Sequence, residues 1–142
     1  MPDASQFAAE IRRQGYRMTP QRQLVLEAVR ALAGHATPGE IYDWVQQQAP
    51  AINRATVYRV LGFLCELQLV ARFDVAGTTT YELVGPQPHH HLVCRACGGI
   101  AHVADEVLDD LVATLKTRYG FEADLQHLAL PGLCAACAAA AG

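Results

Sequence analysis

The sequence predicts an α+β protein built as an N-terminal winged helix-turn-helix domain followed by a small α/β dimerisation domain with a structural zinc site. Three observations predict this. Apolar residues recur first at helical and then at strand spacing, the segment Gly85–Pro88 carries two prolines that neither a helix nor a strand can continue through, and two Cys-x-x-Cys pairs follow that break. The expected parts are a DNA-binding domain at 1–84, a hinge at 85–88, and a dimerisation and metal-binding domain at 89–142.

The pattern of the first part predicts four helices and a β-hairpin, the order of a winged helix-turn-helix. Thr19 before Pro20 and Thr37 before Pro38 each pair a capping side chain with a proline suited to the first helical turn. Asn53 can cap the fourth helix in the same way. The expected helices are 4–14, 20–33, 38–48 and 53–67, and the expected strands are 69–75 and 78–84.

The second part is predicted to form a short sheet with one amphipathic helix. The helix is expected at 104–120, with an acidic first turn that suits the positive end of its dipole. The expected strands are 89–94, 98–104 and 121–130. Because so small a sheet with one helix buries little apolar surface, we expect a second copy to pair across the sheet edge and form a homodimer.

The four cysteines of the second part have the spacing of a tetrahedral zinc site. Two Cys-x-x-Cys pairs brought together supply four thiolates, which is a complete ligand set for structural Zn²⁺. Two disulfides or a redox-active pair would be the alternative, but nothing in the chain indicates secretion. The expected zinc ligands are Cys94, Cys97, Cys134 and Cys137.

Charge and hydropathy favour a cytoplasmic protein that meets nucleic acid on one face. The formal net charge is −3, yet the first 84 residues hold eight arginines against eight acids, so a local basic face can form there. Scattered, solvated charge is the alternative. The N-terminus has no apolar signal core, and no run is long enough to span a membrane.

The predicted fourth helix separates into an apolar face and a face suited to DNA. Thr56, Tyr58 and Arg59 lie opposite the apolar stripe, near the start of the helix. Arginine can reach a guanine edge or a phosphate in the major groove, and tyrosine can contact a thymine methyl. An ordinary solvated helix face would look the same.

Histidines on either side of the predicted hinge could hold a second metal. In a strand, alternate residues share a face, so His89 and His91 can chelate one ion while His90 points away. A surface polar tract is the alternative. The other metal-capable residues nearby are His35, Glu82 and His102.

These motifs together resemble the ferric uptake regulator (Fur) family. The resemblance runs from about Gly15 to Cys137 and is carried by Thr-Pro-Gln-Arg (19–22), His35 before Ile41-Tyr42, ATVYRVL (55–61), HHHLVCRACG (89–98) and the distal Cys-x-x-Cys. Members are homodimeric winged-helix repressors that bind double-stranded operator DNA when a divalent metal fills a regulatory site.

The resemblance also implies roles for individual residues. Tyr58 and Arg59 would read bases, Arg17 would reach the minor groove and Arg22 would hold phosphate. Ligands from both sides of the hinge would let the regulatory metal fix the spacing of the two recognition helices in the dimer. The implied ligands are His35, Glu82, His89, His91 and His102.

Departures from the family pattern bear on metal identity. His102 stands where iron regulators and peroxide sensors carry a carboxylate, which favours Fe²⁺, Zn²⁺ or Ni²⁺ over Mn²⁺. Ala71 and Val84 replace an acid and a cysteine typical of zinc sensors, which disfavours a zinc-uptake regulator. Pro88 and Gln126 cannot serve a third metal site, which we expect to be empty.

The predicted function is metal-dependent repression of metal-uptake genes, with Fe²⁺ as the expected regulatory metal and Zn²⁺ or Mn²⁺ as alternatives. A peroxide sensor or a zinc- or manganese-responsive regulator of the same family is the nearest alternative. A zinc hydrolase with Glu82 as general base is a remote one, because five plausible ligands leave no clearly open metal position.

Overall fold

The computed structural model describes residues 4–32, 35–75, 77–84, 89–125 and 128–142. The predicted hinge at 85–88 and Gln126 of the third-site prediction lie outside these ranges. The chain divides into two compact units, Met1–Arg72 with Thr78–Pro86 and Phe73–Gly77 with Gln87–Gly142. Within the described ranges, no helix combines the length and apolar character needed to cross a bilayer.

The first unit contains the predicted four helices and most of the hairpin. Oγ1 of Thr19 accepts from the Arg22 N–H at 3.2 Å, Oγ1 of Thr37 from the Glu40 N–H at 3.2 Å, and Asn53 caps the fourth helix. All three predicted caps are confirmed, and each such cap contributes about 1 kcal/mol. The elements are α1 (Ala4–Arg13), α2 (Pro20–Ala31), α3 (Pro38–Gln48), α4 (Arg54–Glu66), β1 (Val70–Val75) and β2 (Thr78–Leu83).

The core of the first unit lies between these helices. Val57, Leu61 and Leu64 on the inner face of α4 are fully buried against apolar residues of α1, α2 and α3. Burial of each such side chain contributes about 1.5–3 kcal/mol. The opposite face of α4 is therefore exposed to solvent, as the helical pattern predicted.

The second unit is a three-stranded sheet with helices, in the strand order β4-β3-β5. Strand β3 pairs antiparallel with β4 and parallel with β5. A parallel neighbour requires the chain to return along the sheet before β5 begins. The elements are β3 (His89–Cys94), β4 (Ile100–Ala104), a 3₁₀ turn (Asp105–Leu108), α5 (Asp109–Tyr119), β5 (Ala129–Gly132) and α6 (Ala135–Ala141).

Two predictions for the second unit were wrong in their bounds, and one helix was not predicted. The helix expected from residue 104 starts at Asp109, because a 3₁₀ turn without a side-chain cap precedes it. Residues 121–125 of the strand expected over 121–130 are not in a strand, and β5 runs over Ala129–Gly132. Helix α6 was not predicted, since its alanine run has no polar face to give a helical period.

The apolar stripe of the predicted helix is largely open in the single chain. Leu108 is buried, but Val107 is 65 % and Leu111 45 % exposed. Tyr119 and Phe121 nearby are also exposed. Contiguous exposed apolar residues of this kind are typical of surfaces that another molecule covers.

Candidate metal centres and nucleic-acid interface

Backbone pairing in the second unit brings the two Cys-x-x-Cys pairs together. Cys94 ends β3 and is paired in register with Gly132 of β5, two residues before Cys134. The turn after β3 is closed by the Gly98 N–H, which donates to the Cys94 carbonyl at 2.9 Å. Gly98 has a φ of +74°, which glycine adopts without strain. The four sulfurs of Cys94, Cys97, Cys134 and Cys137 all lie within 4.8 Å of one another.

The distances between these sulfurs fit zinc and do not fit a disulfide. Sγ of Cys97 lies 3.9 Å from Sγ of Cys134. Two thiolates at about 2.3 Å from a tetrahedral Zn²⁺ are about 3.8 Å apart, whereas a disulfide requires about 2.05 Å. All five cysteines, including the half-buried Cys65, are free thiols.

The thiols of the cluster differ in acidity because they are unequally hydrogen bonded. Backbone groups of Cys134, Cys97 and Ala96 stabilise the thiolate of Cys94 and lower its pKa to about 6. Hydrogen bonding to the sulfurs of Cys134, Cys94 and Cys97 raises the pKa of Cys137 to about 12. Four crowded sulfurs do not all ionise by themselves, so a full thiolate set requires the positive charge of a metal.

In the first unit, the structure places His35 beside Glu82. Ala36 and Tyr81 form an antiparallel bridge, with the Tyr81 N–H donating to the Ala36 carbonyl at 2.8 Å, so the residues on either side face each other. Nδ1 of His35 lies 3.5 Å from Oε2 of Glu82. The Glu82 carboxylate is buried, and a buried carboxylate requires a cation or hydrogen bonds to offset lost hydration.

In the second unit, three imidazoles converge on one face of the sheet. His91 of β3 is the register partner of His102 of β4, and His89 lies two residues before His91 on the same side. The ring centroids are 5.0 Å apart for His89 and His91, 5.1 Å for His89 and His102, and 4.8 Å for His91 and His102. His91 is fully buried and stacks on Phe73 at 4.3 Å. Sequence reasoning identified the histidines but missed Phe73, whose contact is long-range.

His90 is on the other face of β3 and has two hydrogen bonds there. Its Nδ1 accepts from the Leu128 N–H at 3.0 Å, and its Nε2 lies 2.8 Å from Oδ1 of Asp105. Accepting at Nδ1 places the proton on Nε2, so the neutral ring donates to the carboxylate. His90 is fully buried. It therefore joins β3 to the 3₁₀ turn and to the start of β5, which the sequence did not predict.

The exposed face of α4 carries the residues proposed for base contacts. Tyr58 is 44 % exposed, and Nη2 of Arg59 donates to Oγ1 of Thr56 at 3.2 Å. Arg54 donates to the Tyr58 hydroxyl at 3.2 Å and covers the Tyr42 ring at 4.4 Å. Sequence reasoning missed this role of Arg54, although its spacing of four from Tyr58 on a helix could have indicated it.

The other two proposed DNA contacts lie on the loop between α1 and α2 and in the first turn of α2. Arg17 is exposed on this loop. Arg22 is half-buried, donates from Nη1 to the Arg17 carbonyl at 2.5 Å, and covers the Phe63 ring of α4 at 3.9 Å. The two arginines thus lie in the same unit as α4 but in different environments.

Comparison with known proteins points to one family, both by its sequence model and by individual relatives. The model of the "Ferric uptake regulator family" matches residues 13–130. The transcriptional regulator FurA of Mycobacterium tuberculosis is 35 % identical over 138 residues, covering 96 % of this chain and 93 % of that protein.

Two solved structures extend the comparison. The ferric uptake regulator of Pseudomonas aeruginosa with manganese has a TM-score of 0.71 at 26 % identity, covering 89 % of this chain and 96 % of that one. A zinc uptake regulator complexed with zinc and DNA has a TM-score of 0.66 at 27 % identity, covering 99 % of both chains.

Proposed function

We propose that this chain, which belongs to the ferric uptake regulator family, is a metal-dependent repressor of metal-uptake genes. Family membership makes it a transcriptional regulator that binds metal. Control of operator binding by metal occupancy is proposed from the arrangement of the side chains within each unit.

One observation carries the proposal: each unit brings together some of the side chains proposed as regulatory ligands. The first unit pairs His35 with Glu82, and the second gathers His89, His91 and His102. We propose that all five take one divalent ion. When bound, that ion supplies coordinate bonds to ligands of both units. Little ligand reorganisation is needed within either unit, so binding energy is available to favour the DNA-binding arrangement of the dimer.

The four cysteines are proposed to hold structural Zn²⁺. The 3.9 Å spacing of the Cys97 and Cys134 sulfurs and the free state of all the cysteines support this. The ligands come from the end of β3, the turn after it and the first turn of α6. They therefore join the two ends of the second unit and stabilise the fold on which the imidazole cluster is built.

The donor set bears on which metal regulates. Four imidazoles and one carboxylate suit Fe²⁺, Zn²⁺ and Ni²⁺ better than the harder Mn²⁺. We propose Fe²⁺, because Ala71 and Val84 lack the donor side chains typical of zinc sensors. A zinc-responsive regulator is the second candidate, since His102 adds an imidazole where a carboxylate is usual. The relation to regulators also argues against the zinc hydrolase considered from sequence.

We propose that α4 reads the operator through its exposed face. Arg59 and Tyr58 would contact base edges in the major groove, with Thr56 beside them. Arg54 bonded to the Tyr58 hydroxyl limits the freedom of that ring before DNA arrives. Arg17, on the loop before α2, and Arg22, in the first turn of α2, extend this surface.

The proposed repressor is a homodimer. The exposed Val107, Leu111, Tyr119 and Phe121 give the second unit an apolar surface that a second copy can cover. A winged-helix protein that binds as a dimer places two recognition helices about one turn of DNA apart or a multiple of it. The spacing of those helices is the quantity that the regulatory metal would control.

Metal analysis and DNA binding together test the proposal. Protein purified without an affinity tag should retain about one zinc per chain. An operator duplex recovered by in vitro selection should then bind more tightly as Fe²⁺, Zn²⁺, Ni²⁺ or Mn²⁺ is added singly under anaerobic conditions. If none of the four metals strengthens operator binding, metal-dependent repression is rejected.

A further inference from the structure

The loop before α2 contacts α4 through the aromatic ring of Phe63. Phe63 of α4 is partly buried against the core, and its ring meets Tyr16 edge-on at 5.0 Å with an interplanar angle of 82°. The Arg22 guanidinium covers the same ring at 3.9 Å. One residue on each side of Arg17 therefore contacts the same residue of α4.

Arg22 also fixes the backbone of that loop. Its Nη1 donates to the Arg17 carbonyl, while its own N–H donates to Oγ1 of Thr19. At the other end of the loop, the Tyr16 N–H donates to the Ile11 carbonyl at 3.0 Å. The chain passes Gly15 with a φ of +90°, a conformation that favours glycine. The backbone on both sides of Arg17 is thus held while its side chain is exposed.

These contacts occupy the planar guanidinium of Arg22 within the protein. Stacking on an aromatic face and directed donation to a carbonyl both use the flat, forked geometry of arginine, which lysine does not reproduce. A side chain that serves only to attract phosphate needs charge alone. The contacts made by Arg22 are therefore those of a group that holds another residue in place.

We infer that Arg22 is a positioning residue that sets where Arg17 leaves the domain relative to α4. It thereby keeps a minor-groove contact by Arg17 in register with the major-groove contacts of α4. A narrow A·T-rich minor groove attracts an inserted arginine, so this register gives selectivity for the bases flanking those that α4 reads. The inference rests on the proposed operator binding.

The test compares two operator duplexes that differ only in the flanking minor groove. One is the selected duplex with A·T flanks and the other has G·C flanks, with the bases contacted by α4 unchanged. The variants are Arg22→Lys, Arg17→Ala, the double variant, Phe63→Leu, and Arg12→Ala as a control that removes one exposed charge from the same unit. Circular dichroism verifies that each variant keeps the wild-type thermal transition.

We expect wild type and Arg12→Ala to prefer the A·T-flanked duplex by about tenfold, the size of one good groove contact. Arg22→Lys and Phe63→Leu should reduce that preference to about twofold, although neither removes a positive charge. In the double variant the loss should equal that of Arg17→Ala alone, because both changes remove the same contact.

Other outcomes overturn the inference in distinguishable ways. If Arg22 instead bound phosphate, Arg22→Lys would keep a preference for the A·T-flanked duplex close to that of wild type. Phe63→Leu would not change that preference. If wild type bound the two duplexes with equal affinity, there would be no minor-groove contact for Arg22 to position. If wild type with metal binds neither duplex above random DNA, the proposed operator binding itself is wrong.

Discussion

Replacing His90 by alanine should destabilise the second unit strongly while leaving the regulatory ligands in place. The buried ring accepts from the Leu128 N–H at 3.0 Å and donates to Asp105 at 2.8 Å. Leaving the Leu128 N–H without its partner costs about 1–3 kcal/mol. The lost bond to Asp105 adds about 1 kcal/mol, because that carboxylate is 47 % exposed and water can replace the imidazole.

The expected loss in the free energy of unfolding is therefore about 2–4 kcal/mol. With a urea dependence of about 2 kcal/mol per molar, the unfolding midpoint of the zinc-loaded protein should fall by about 1–2 M. His90→Asn keeps an acceptor close to the position of Nδ1, and His90→Gln keeps a donor close to that of Nε2. Each should lose part of what alanine loses.

The matched variants separate the two hydrogen bonds from simple loss of volume. Because His90 faces away from His89 and His91, the fraction of His90→Ala that stays folded should keep most of its metal response. A midpoint shift below about 0.3 M for His90→Ala would refute the structural role. So would a loss of metal response in the fully folded His90→Asn variant, since His90 would then act in the regulatory site.

Three further results are expected. Cys94→Ser or Cys137→Ser should lose the tightly bound zinc and the thermal transition of the second unit, since structural zinc contributes on the order of 10 kcal/mol to small folds. Zinc that elemental analysis still finds in either variant would reject the cysteine site. Arg59→Ala should weaken the selected operator by about 1–3 kcal/mol and affect random duplexes less, whereas equal losses in competition assays would exclude base reading. Thr37→Ala should lower the free energy of unfolding by about 1 kcal/mol, and Thr37→Ser, which keeps the capping oxygen, should not.

Local chemistry made much of the first unit predictable. Thr19, Thr37 and Asn53 start their helices where the caps indicated, because a side-chain oxygen satisfies backbone N–H groups within one turn. The face of α4 followed from its apolar period. The alternation of His89 and His91 likewise followed from the pleat of a strand, which has a fixed period of two.

Features that depend on distant parts of the chain were not predictable. The place of β5 is set by its parallel pairing with β3, which sequence periodicity does not encode. The bond from the Leu128 N–H to His90 and the stacking of His91 on Phe73 join residues far apart in sequence. Arg22 was expected at phosphate from the family resemblance alone, and its contacts with Phe63 and with the Arg17 carbonyl indicate a different role.

The most direct test of the central claim pairs one ligand from each unit. His35→Ala removes an imidazole from the first unit and His102→Ala removes one from the second. Neither of these two histidines is fully buried. Fluorescence anisotropy of the selected operator, titrated with the activating metal, would be measured beside the zinc content of each variant. If one ion uses both units, each variant should keep about one zinc per chain and its fold, yet lose metal-stimulated operator binding. A full metal response in either variant would contradict a regulatory ion shared by the two units.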